Sequence, residues 1–163
     1  NILCRLYAVM PKVGSGHLKI GNIEELKSLI SPNFALVNPK LVCGRAHLKQ
    51  VAYLADKAHR DQYNLANDRS TEVLLYLTAQ RQISKAIEIA GIAEKQKAIA
   101  WVSFNQLPEK LSTLVSLDES IISHENFDYS SLNLDDQVYS ELTNKDKQKI
   151  VMTRTATLPV QPR

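Results

Sequence analysis

The sequence predicts a single α/β (α+β) domain in which helices flank a mixed central β-sheet. Three observations support this. Short apolar runs of strand type, at 34–37, 73–77 and 98–104, are interleaved with stretches whose apolar residues recur at helical spacing. A chain of 163 residues with 44% hydrophobic content is long enough to bury one real core. The chain shows no internal repeat, heptad array or low-complexity block.

Residues 2–10 are apolar-rich and end at Pro11, which reads as a strand. Val13-Gly14-Ser15-Gly16 reads as a flexible turn. No GxGxxG or GKS/T pattern accompanies it, so it is not a phosphate fingerprint. Asn22 is placed to cap a helix, with Glu25 three residues on and Ile23, Leu26, Leu29 and Ile30 as its stripe. Ser31-Pro32 ends that helix. Residues 34–37 make a short strand, Asn38-Pro39 a turn, and Leu41, Val42 and Cys43 another small apolar piece.

The longest clear helix spans 46–59 after Gly44, with Leu48, Val51, Ala52, Ala55 and Ala58 on its buried side. Residues 61–64 and 67–68 form a polar connection. The stretch 70–93 then organises the chain. Val73, Leu74, Leu75, Tyr76 and Leu77 tip toward a buried strand through their β-branched and aromatic members. A polar elbow over 78–82 follows. Ile83, Ala86, Ile87 and Ala90 then return to helical spacing, and Gly91 stops the helix.

Residues 98–104 are a second buried strand. Pro108 suits the first turn of a helix holding Leu111, Leu114 and Val115. The acidic stretch 124–135 reads as a surface connection. Val138, Tyr139 and Leu142 form a short helix, and Asn144 caps a last helix carrying Ile150, Val151 and Thr155. Leu158-Pro159-Val160 is an apolar tail beyond it, and 144–163 reads as a partner-docking element.

The chemistry of the sequence argues against common catalytic classes. His47 and His59 sit at the two ends of one helix, about 18 Å apart, and cannot share a metal. Neither Cys4 nor Cys43 lies in a CxxC pair, so no zinc site is expected and no cofactor is implied. GxSxG, HExxH and kinase signatures are absent from the sequence. No apolar run approaches the roughly 20 residues of a spanning helix, and no signal-peptide pattern is present. Buried free thiols are expected in a reducing cytoplasm. A small hydrolase or transferase whose site forms only in the fold stays open as an alternative.

The net charge of +3 permits a polyanionic partner without demanding one. Arg45, Lys49, Lys57, Arg60, Arg69, Arg81 and Lys85 cluster in the middle of the chain, while Asp118, Glu119, Glu125, Asp128, Asp135 and Asp136 fall later, which suggests two faces. A helix start after the elbow offers outward N–H groups to an anion. Arg81, Gln82, Ser84, Lys85 and Gln80 are therefore candidate RNA contacts, with Arg45, Lys49 and Arg69 as flanking phosphate contacts. Tyr63 and Tyr76 are the nearby aromatics. The alternative is that these charges are ordinary solvated surface groups. Ile150, Val151 and Leu158 form a second candidate surface, for a protein partner, the alternative being that they close the domain as core.

Ser70-Thr71-Glu72, Gln82-Ile83, Ala86 and Gly91-Ile92, with Asn38-Pro39-Lys40-Leu41-Val42-Cys43 before the long helix, resemble the small regulatory subunit of the KEOPS complex, the family of the human PRPK-binding protein. The useful order of elements covers about residues 1–115, and the C-terminal third matches loosely. The resemblance implies a non-catalytic protein that binds the atypical kinase/ATPase subunit of that complex. It also implies capture of the single-stranded 3′ CCA tail of transfer RNA for threonylcarbamoyladenosine modification. Other KEOPS subunits would be met indirectly, in the cytoplasm and, in a eukaryote, the nucleus. A kinase regulator without RNA contact is the alternative within the same resemblance. The Gln80-Arg81-Gln82 elbow departs from other members.

Overall fold

A computed structural model describes residues 10–19, 23–132 and 141–160. Residues 2–9 of the expected strand, Cys4 among them, the Asn22 cap, and Val138 and Tyr139 of the expected short helix lie outside those residues, and Met10 is outside any strand. The elements in order are β1 (Lys12–Leu18), α1 (Ile23–Lys27), β2 (Phe34–Val37), α2 (Arg45–Arg60), α3 (Arg69–Thr78), α4 (Ile83–Ala90), β3 (Ala98–Ser103), α5 (Leu111–Leu114), β4 (Val115–Leu117) and α6 (Asn144–Ala156). Single turns of 3₁₀ helix fill Pro39–Leu41, Glu119–Ile122, His124–Asn126, Tyr129–Leu132 and Leu158–Val160. The chain is α+β. The sheet runs β2-β3-β1-β4, and every described pairing is antiparallel, where a mixed sheet was expected.

Helices cover both faces of the sheet, so its apolar strands β2 and β3 lack the polar alternation of a half-exposed strand. Ala35, Val37, Ala100 and Val102 point to the main core, which α2, α3, α4 and α6 complete. Phe34, Leu36, Ile99 and Trp101 point the other way, onto Ile23 and Leu26 of α1 and Leu111 and Leu114 of α5. The stripe expected on α2 is buried in full. On the α1 side the stripe stops early, since Ile30 is exposed.

Two expectations are overturned. Val13-Gly14-Ser15-Gly16 is the middle of β1 rather than a turn. Its glycines are there for close approach. A Cβ on Gly14 would stand 2.5 Å from the Trp101 ring lying across it, and one on Gly16 would strike the Ser116 carbonyl of β4. We expect Gly14→Val to displace the indole and cost about 1–3 kcal/mol. The chain has one tryptophan, so a red shift of its emission and a lower urea midpoint check this together.

The second correction is the run 73–77, which is helical. Asp68 caps α3 by accepting from the Thr71 N–H at 2.8 Å. Val73, Leu75, Tyr76 and Leu77 are all buried, so no polar face marks the helical period. The helix closes through Ala79 in the left-handed region (φ 53°), with the Ala79 N–H on the Tyr76 carbonyl and the Gln80 N–H on that of Leu75. The elbow thus joins two helices rather than a strand and a helix.

Of the two readings of the C-terminal apolar residues, Leu158 and Val151 take the core position. Leu158 is fully buried, and Val151 nearly so, because α6 packs its inner side into the main core. The cap of α6 is Thr143, one residue before Asn144. Ile150 is half-buried against the same core.

Candidate partner and polyanion surfaces

The motifs that carry the resemblance meet in the fold, and their roles there are structural. Asn38 donates its backbone N–H to the carbonyl of Ala90 at the end of α4. Its side chain accepts from the Lys40 N–H, fixing the turn through Pro39. Glu72, almost wholly buried, accepts from the N–H groups of Leu65 (3.0 Å) and Ala66 (2.7 Å) and so shapes the connection before α3. His59 Nε2 lies 3.7 Å from the same carboxylate. A buried carboxylate is tolerable only with such donors around it.

His47 ties the C-terminal helix to this frame. Its Nδ1 accepts from the Cys43 N–H (3.0 Å), and its Nε2–H donates to Thr155 Oγ1 (3.1 Å). The Thr155 hydroxyl then donates to the Tyr76 carbonyl (3.0 Å). These partners hold the imidazole neutral, and burial pushes its pKa down to about 4. Gln148 Nε2 on the Cys43 carbonyl and Gln50 Nε2 on that of Met152 complete the seam. Cys43 is a buried free thiol.

The candidate RNA residues fall in two places. Arg45, Lys49, Tyr53 and Arg60 share the outer side of α2 and face Lys12 and Val13 of β1 across a groove of about 1080 Å³. Asp56 and Asp61 also line it. They are engaged: Asp56 accepts from Arg60 Nε (2.7 Å) and Arg69 Nε (2.9 Å), and Asp61 from Lys57 Nζ (2.6 Å). Arg69 is thereby held beside the groove through Asp56. Arg45 pairs with Glu119 at 3.0 Å, so one residue of the basic middle meets one of the acidic later part there. That exposed pair is worth at most about 1 kcal/mol and can open to another anion. Lys12 and Lys49 have no ion pair among the described contacts. Tyr53 is 55% exposed. Neither it nor Lys12 was singled out from the sequence. The signal was there, since Tyr53 is one helical turn from Lys49.

The elbow residues are elsewhere, and none of 80–85 lines the groove. The Arg81 guanidinium donates to the Leu158 carbonyl (3.0 Å), linking the elbow to the C-terminal segment. Gln82, Ser84 and Lys85 are exposed and Gln80 is half-buried. Gln82 caps α4 without a side-chain hydrogen bond. The helix it opens leaves two isoleucines outside among Ser84, Lys85 and Glu88, while Ile89 packs partly against the main core. Ala86 and Ala90 are its buried residues, while Ile83 and Ile87 are 38% and 49% exposed at i, i+4 spacing.

Among the described residues no group of three or more His, Cys, Asp or Glu side chains is placed to hold a metal ion. No described helix is long and apolar enough to cross a membrane.

No curated protein matches the chain. Residues 18–151 match a family described as kinase binding protein CGI-121. That stretch takes in both central motifs and reaches well into the C-terminal third, where the resemblance was loosest. The chain belongs to the kinase binding protein CGI-121 family.

Proposed function

We propose that this chain is a non-catalytic subunit of a KEOPS-type transfer RNA modification complex, in which it docks on the kinase subunit and holds the 3′ CCA tail of transfer RNA. The observation that supports the RNA half is the groove between α2 and β1. Lys12, Arg45, Lys49 and Arg60 line it together with Asp56 and Asp61, and among the described ion pairs Lys12 and Lys49 have no carboxylate partner. We place the tail there, with Arg45 and Lys49 as phosphate contacts and Arg69 at the rim. Arg81, already bonded to the Leu158 carbonyl, serves the fold. Gln80, Gln82, Ser84 and Lys85 lie outside the groove lining and are not assigned to the tail.

The experiment is a binding titration of one transfer RNA with and without its CCA end. Removal of the tail lowers affinity at least tenfold. Equal binding of the two overturns the tail reading. Lys49→Glu should weaken binding several-fold and lower the salt slope by about one. Arg81→Ala should leave affinity within twofold, and a large loss there would return the tail to the elbow.

The kinase half rests on the family. We assign its docking surface to the outward face of α4, centred on Ile83 and Ile87, in place of Ile150, Val151 and Leu158. An apolar pair left outside on a helix that buries alanines supports this assignment.

A further inference from the structure

Phosphate contacts explain affinity for any polyanion, but they do not explain why a half-exposed aromatic ring stands among them. We infer that Tyr53 is the stacking platform of the α2–β1 groove, and that through it the groove selects unpaired nucleotides over duplex. This rests on the polyanion reading of the groove proposed above.

Tyr53 follows Lys49 by one turn of α2 and precedes Arg60 by two, and all three line the groove, with Asp56 and Asp61 engaged by Arg60, Arg69 and Lys57. Lys12 of β1 lines the same groove. Apart from its ionic groups the lining is apolar at Val13 and Leu107, the latter 42% exposed. A duplex presents its bases edge-on and buried in the stack, so the ring and the apolar lining would have nothing flat to cover. An unpaired base offers a π-face to the ring while its flanking phosphates reach Lys12 and Lys49. This combination of cationic track and aromatic step is how single strands are held with little base preference. The other tyrosine of this region, Tyr63, lies outside the groove lining, and Tyr76 is buried in the main core.

The test uses the full chain and short RNA oligonucleotides carrying 2-aminopurine, single-stranded or annealed to a complement. The wild-type protein should bind the single strand more tightly and quench the probe. Tyr53→Ala should lose about tenfold in single-strand affinity, with quenching abolished and the salt slope and duplex affinity unchanged. Tyr53→Phe should restore both affinity and quenching. Lys49→Glu reports the groove independently, by weakening both forms and lowering the salt slope. If Tyr53→Ala binds and quenches like wild type while Lys49→Glu weakens binding, stacking is overturned and the groove stands. If neither substitution matters, the groove reading falls with it. Equal displacement of the oligonucleotide by a hexaglutamate peptide would make the site one for acidic peptides and overturn the inference. Thermal unfolding of each variant separates lost binding from lost fold, and Tyr53→Leu, which keeps apolar bulk without a π-face and should lose affinity and quenching as the alanine variant does, keeps the test decisive if that variant is unstable.

Discussion

Ile87→Asp should abolish co-purification of the kinase partner while the domain unfolds within about 0.5 kcal/mol of wild type. Both halves of that outcome follow from where Ile87 stands. Its side chain is half in solvent, so an added carboxylate stays hydrated and the fold loses little. In a docked complex the same position becomes desolvated, and an unpaired carboxylate there costs several kcal/mol. Leu158→Glu makes the instructive contrast. Leu158 has no exposure at all, and a glutamate there puts an unpaired charge into the main core. That variant loses the partner because it loses the fold. Circular dichroism melts beside a pull-down from co-expressed kinase separate the two cases. Normal capture by a folded Ile87→Asp protein would reject the α4 surface. Loss of capture by a Leu158→Glu protein that still melted like wild type would return the docking element to the C-terminus.

The residues that were easy to read in the sequence are those whose periodicity shows a face. Leu48, Val51, Ala52, Ala55 and Ala58 alternate with charges, and α2 forms where that pattern lies. The strands over 34–37 and 98–103 are short and bounded by turn residues, and they too form. The run at 73–77 failed because α3 is enclosed on nearly every side, which erases the contrast that distinguishes a helix from a strand. Asp68 before it was the available signal, as a cap with Glu72 in the first turn. Gly14 and Gly16 failed for a different reason. Glycine marks a turn or a close approach equally well, and only the partner across the sheet, Trp101, tells which. For the candidate sites, charge was legible but geometry was not. Arg45 and Lys49 are one turn apart and share the groove, whereas Arg81, as cationic as they are, reaches a carbonyl some 77 positions away in the chain. Exposure was the least legible property of all: Ile87 is outside and Leu158 inside, and nothing in either residue type announces it.

The His47 relay should make the protein acid-sensitive in a window fixed by that one ring. In the fold the imidazole is neutral with a pKa near 4, against an ordinary value of 6.5 in the open chain. Between those two values the unfolded chain binds a proton that the folded one refuses. Stability is therefore whole above about pH 7 and falls as the pH drops through 6.5 toward 4. The gap amounts to about 3 kcal/mol. Among the described residues no carboxylate is bonded to the ring to offset a charge. Its partners are the Cys43 N–H and the Thr155 hydroxyl, with the Phe127 ring edge-on at 6.4 Å. A protonated ring would turn Nδ1 from acceptor to donor, facing the Cys43 N–H. The seam between α2 and α6 should thus yield first, since Thr155 is the α6 end of the relay. Urea titrations at steps from pH 7 to pH 4 measure the loss, and His47→Gln, whose amide can accept and donate without titrating, should remove this increment. Parallel curves for the two proteins would mean that the acid sensitivity comes from other groups and that His47 acts only as a hydrogen-bonded spacer. Enhanced protease cleavage within 144–156 at pH 5, lost in the glutamine variant, would place the first opening at α6, as the relay requires.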